Sequence, residues 1–159
     1  MRVRRVFQAD GHLILVESLS LPESIQTERR TETKVRFTES EINMATRLRS
    51  SGLTWGPEPG HYVFDVNGMI RAGSPFQAGI YLIHSANTFE SMVGGQDELF
   101  ENFVWLPTWE NCRSWLTEKG IGPDEVYEAW KAGKADGLTD RECLYTLILG
   151  VLETQAARN

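Results

Sequence analysis

The 159-residue sequence predicts an α+β fold: antiparallel β-hairpins and a meander over the first two-thirds, packed against three to four C-terminal helices. Three observations carry this expectation. Turn pairs Asp10-Gly11 and Asn67-Gly68 separate apolar runs of strand length, and both tolerate the positive φ of a tight hairpin turn. Thr38 to Glu41 and Thr139 to Glu142 have capping-box spacing, the mark of a helix N-terminus. Strand patterning dominates before residue 93 and helical periodicity after residue 96, and such segregation marks the α+β class. The whole chain, 1–159, reads as one domain, β-rich over 1–93 with a helix near 39–51 and helical over 96–155.

Taken in order, RVRRVFQ and HLILVESLSL flank Asp10-Gly11 as a first hairpin, which Pro22 ends. Residues 23–29 read as loop, and 31–37 as an edge strand in which Thr31, Thr33, Val35 and Phe37 alternate with charges. The helix opened by Thr38 buries Ile42, Ala45 and Leu48 and stops at Gly52. LTWGPEPG is a loop. His61–Val66 and Met69–Ala72 form the second hairpin around Asn67-Gly68, and Gly79–His84 adds a third strand antiparallel to it.

The helical part follows. Residues 96–103 turn Leu99 and Phe103 inward. After Pro107-Thr108 a helix carries Trp109, Cys112 and Trp115 or Leu116, and stops at Gly120. Pro123 suits a first helical turn, since proline has a fixed φ and no amide donor to satisfy. Val126, Ala129 and Trp130 face in from that helix. The last helix buries Leu144, Leu147, Ile148 and Val151.

Composition excludes several classes. The longest apolar run, LYTLILGVL, is about half the ~20 residues of a membrane span. Two cysteines, Cys112 and Cys143, make no disulfide framework, so a reducing cytoplasm is expected. The net charge is about zero up to Phe89 and strongly negative from Glu90 onward. An acidic half repels a phosphate backbone, which disfavours nucleic acid. Walker, GxSxG, HExxH and dinucleotide fingerprints are missing, and neither a metal nor a cofactor is expected.

Two sets of residues remain. In the meander register His61 and His84 fall at opposite ends of the sheet, roughly 20 Å apart. Asp65 and His84 share a face, as a general base and its electrostatic partner. Arg71 stacks between Phe64 and Tyr81 and is suited to clamping an anion. These three define a small-molecule pocket or enzyme site on the 61–84 sheet.

The favoured reading is non-catalytic. Four of five tryptophans (Trp105, Trp109, Trp115 and Trp130) crowd one acidic stretch. Trp109 and Trp115 point about 120° apart on a helix of 3.6 residues per turn, so one apolar stripe cannot bury both. One of them, rimmed by Glu110 and Glu118, is expected to dock a protein partner or a second copy.

Overall fold

The computed structural model describes residues 35–158, together with strands β1 (Val6–Ala9) and β2 (His12–Leu15). The chain divides into two compact units, Met1–Lys34 and Val35–Asn159. In the first, β1 and β2 pair antiparallel with Ala9 opposite His12, the register expected of a hairpin at Asp10-Gly11. The expected loop over 23–29 lies outside the described residues.

The second unit runs α1 (Glu39–Ser50), β3 (Tyr62–Asp65), β4 (Ile80–Leu82), α2 (Ala86–Val93), α3 (Gln96–Asn102), β5 (Phe103–Leu106), α4 (Trp109–Glu118), α5 (Pro123–Ala135) and α6 (Asp140–Ala156). It is a mixed α+β unit with a three-stranded antiparallel sheet of order β4-β3-β5. No helix among the described residues is long and apolar enough to cross a membrane.

Three strand expectations are corrected. Residues 31–34 lie outside the described residues, but 35–37 form no strand. The amide of Gln77 takes the place of a neighbouring strand there. Its Oε1 accepts from the Phe37 N–H at 3.0 Å, and its Nε2 donates to the Phe37 carbonyl at 2.8 Å.

The hairpin at Asn67-Gly68 does not form, and residues 69–72 are not a strand. Asp65 explains why. Its two carboxylate oxygens accept from the backbone N–H groups of Met69 and Ile70, at 2.9 and 2.8 Å. A side chain that captures the next amides competes with a sheet ladder for them. β3 pairs instead with β4 across a long loop, Tyr62 opposite Leu82 and Phe64 opposite Ile80.

The third correction is β5, FVWL, which sits in the part of the chain expected to be helical. Four consecutive apolar residues, all buried, show no alternation that would mark a strand. They pair with β3 from Tyr62–Leu106 to Asp65–Phe103.

This register divides the core. Val63, Ile83 and Phe103 pack with Phe89, Val93 and Leu99 of α2 and α3. Ile80, Val104 and Leu106 share a second cluster with Leu48 of α1, Leu116 of α4, and Leu144 and Ile148 of α6.

The helix starts are local and follow the sequence. Thr38, Thr108 and Thr139 each cap a helix with the residue three positions on, Glu41, Asn111 and Glu142 respectively. Glu41 is 2% exposed. Beyond capping α1, its carboxylate accepts from the Thr139 hydroxyl and the Arg141 guanidinium, both at 2.6 Å. The start of α1 is thereby fastened to the start of α6.

Helices α5 and α6 approach closely at Gly133, where an added Cβ would stand 2.5 Å from the Cys143 sulfur. Cys143 is buried, and burial raises its thiol pKa, which disfavours the thiolate. Gly133→Ala should therefore destabilise the fold by about 1–3 kcal/mol in urea titration, the usual cost of overpacking. Cys143→Ala in the same chain should recover part of that loss.

Candidate functional site

Helix α5 carries two aromatic side chains that reach solvent, Tyr127 and Trp130. Helix spacing puts Pro123, Tyr127 and Trp130 on one face, and Trp109 and Arg113 of α4 form the opposing wall of a groove of about 510 Å3. Capping fixes both walls. The Thr108 cap holds Trp109 at the first turn of α4, and Pro123 occupies the first turn of α5.

The rings are arranged for contact. Tyr127 and Trp130 stack with centroids 6.0 Å apart and planes 30° from parallel. Tyr127 is 55% exposed. Trp130 donates its indole N–H to the Asp140 carboxylate at 3.0 Å, and Lys134 lies 3.2 Å from the same oxygen. The Trp130 bond, then Lys134, hold Asp140 below the usual carboxylate range, so it closes its end of the groove as an anion.

Of the binding residues expected from sequence, Trp109 lines this groove and Glu110 lies at its edge. Glu110 is exposed and 4.0 Å from Arg113. Trp115 and Glu118 do not line it. Trp115 is half-buried against the core, with the Lys119 ammonium 5.4 Å from its ring centre. Neither tryptophan is fully buried or fully exposed. Tyr127 and Trp130 were not read as groove residues, although the spacing 123, 127, 130 marks a single helix face.

The sheet residues are not brought together. β4 pairs directly with β3 and not with residues 69–72, and Tyr62 opposite Leu82 sets Ile80 and Leu82 on the face of Tyr62 and Phe64, away from Asp65. Asp65 lies opposite Gly79, so five residues, about 16 Å, separate it along the sheet from His84. Its two oxygens are already engaged by backbone N–H groups. Arg71 is exposed on the 66–79 loop, away from the strand position that would set it between Phe64 and Tyr81.

His61 and His84 are not at opposite ends of the sheet. The Ile83 N–H donates to the His61 carbonyl, so the two histidines flank the same end. Their environments differ. His84 is exposed, while His61 is 8% exposed and packs on Trp105, with ring centroids 4.9 Å apart. Trp55 stacks on Trp105 at 6.0 Å. Among the described residues no three His, Cys, Asp or Glu side chains gather as a metal-binding group.

Burial lowers the His61 pKa below the usual 6.5, against the upward pull of the Glu58 carboxylate and the Gly56 carbonyl. The unfolded chain therefore holds that proton more readily than the folded one. The contribution of neutral His61 is complete above about pH 6.5 and is lost as pH falls from there toward the folded value. Thermal unfolding should show wild type losing more stability than His61→Phe between about pH 7.5 and pH 5.5. Equal losses would mean that His61 titrates as an exposed histidine.

No protein-family model matches the chain, and comparison with curated proteins and with solved structures gives no match.

Proposed function

We propose that the second unit is a non-catalytic protein-interaction module whose recognition surface is the groove between α4 and α5, centred on Trp109. The observation that carries this reading is the aromatic lining of Trp109, Tyr127 and Trp130, open to solvent within the acidic part of the chain. Aromatic side chains bring large contact area with few rotamers to freeze, and truncating them at an interface is commonly costly. The surrounding helices carry exposed Glu110, Asp124 and Glu128, which favour a basic partner. Arg113, Lys131 and Lys134 are local exceptions; Lys134 is held by Asp140, and the exposed pair of Arg113 with Glu110 contributes little.

The groove supports this reading better than the sheet supports an enzyme. Asp65, Arg71 and His84 are scattered: the Asp65 carboxylate is taken by two backbone N–H groups, Arg71 lies on the 66–79 loop, and His84 stands five residues away along the sheet.

Peptides selected on the full chain from a random library, with affinity then measured by calorimetry, test the proposal. Selected peptides should be basic. Trp109→Ala or Tyr127→Ala should weaken binding by about 2 kcal/mol or more, roughly thirty-fold. Tyr127→Ala should change stability by no more than about 0.5 kcal/mol, since it removes an exposed ring. Glu110→Lys should slow association and flatten its salt dependence, and Arg113→Ala should not weaken binding. Peptides that bind both aromatic variants as tightly as wild type would overturn the proposal.

A further inference from the structure

We infer a second, independent surface: the groove between α5 and α6 is a self-association face, in which α6 of a second copy lies antiparallel across α6 with Gly150 at the crossing. This groove, about 590 Å3, lies on a different face of α5 from the aromatic one, and α6 lines it from Cys143 to Gln155, with Arg158 just beyond the helix end. Its apolar surface comes from Ala129, Ala132, Leu147 and Val151, each half-buried or exposed.

Gly150 is the sharpest observation. It lies inside a 17-residue helix, where glycine costs about 1 kcal/mol relative to alanine. The other helical glycine in this groove, Gly133, is explained by its contact with Cys143. A Cβ on Gly150 would meet nothing within 4 Å, and the residue is exposed. Nothing among the described residues requires glycine there, whereas close approach of another backbone would.

The neighbouring hydroxyls fit a dry contact. Thr146 donates to the Glu142 carbonyl at 2.9 Å and Thr154 to the Gly150 carbonyl at 2.8 Å. Both polar groups are satisfied within α6, so these side chains place no further hydrogen-bond demand on a partner.

Charge selects a second copy as the occupant. Asp136 lies at the groove end shared with Leu138 and Cys143, and Arg158 at the end shared with Thr154 and Gln155. The groove-lining stretch from Cys143 to Gln155, with Arg158 beyond it, has its middle beside Gly150. A two-fold axis there sets Arg158 of one copy against Asp136 of the other, twice over, as an isologous interface requires. Two helices about 25 Å long offer on the order of 500 Å2 per copy, near the lower limit for a specific interface. Association is accordingly expected in the micromolar range.

Sedimentation equilibrium of the full chain from about 1 to 300 μM tests this, a range that brackets micromolar dissociation constants. Wild type should dimerise. Gly150→Leu should keep the wild-type circular dichroism, melt at or above the wild-type temperature because it removes a glycine from a helix interior, and weaken the dimer at least about ten-fold. Asp136→Arg and Arg158→Asp should each weaken it, and the double variant should restore it, since each copy then presents the reversed pair. Trp109→Ala should dimerise as wild type, which separates this face from the aromatic groove. A wild type monomeric throughout would overturn the inference. So would a Gly150→Leu dimer of unchanged affinity, or a charge swap that fails to restore association.

Discussion

The contact on which the second unit depends is the buried carboxylate of Glu41. A charge almost wholly removed from water persists only with partners that replace its hydration. Glu41 has three, drawn from both ends of the unit: the Thr38 N–H at 2.9 Å, the Thr139 hydroxyl and the Arg141 guanidinium. Arg141 in turn lies 4.2 Å from the Phe37 ring centre and donates to the Arg36 carbonyl. One side chain thus caps α1, positions the start of α6 and anchors the segment before α1. Losing one partner of such a pair leaves a buried charge uncompensated, a loss on the order of 3–5 kcal/mol.

That node bears on both proposed surfaces. Asp140, which receives the Trp130 indole and closes the aromatic groove, stands between Thr139 and Arg141 in sequence. Fixing those two residues on Glu41 places the Asp140 backbone between them, from which its carboxylate accepts the Trp130 indole N–H. The same helix start begins α6, whose outer face carries Gly150. Helix α5 contributes to both grooves with different faces and packs closely on α6 at Gly133. Recognition and self-association would therefore share α5 without competing for the same residues.

Local chemistry made the helices legible. Thr38, Thr139 and Pro123 act within one turn of themselves, so their signals survive in the sequence alone. The strands were harder because their partners are distant. Phe103–Leu106 pairs with a strand some forty residues earlier, and its uniform burial erases the alternation that would have marked it. Asn67-Gly68 misled because Asp65, two residues before, had already claimed the following amides; Gly68 still takes a positive φ of 66°. Glu41 was readable as a cap but not as a buried ion, since Arg141 lies 100 residues away. Trp109 stood out in the sequence through its crowded, acidic surroundings, and the structure places it on the wall of the α4–α5 groove. Tyr127 and Trp130 complete the groove only once α4 and α5 are side by side.

The central claim is that Glu41 and Arg141 act as one unit tying α1 to α6. A double-mutant cycle with Glu41→Gln, Arg141→Met and the double variant, each followed by urea unfolding, tests it most directly. The account predicts strongly non-additive losses, with a coupling of about 2 kcal/mol or more, as for side chains sharing one buried network. It also predicts a shifted Trp130 indole N–H resonance in each single variant that remains folded. Additive losses, with that resonance unmoved, would contradict it.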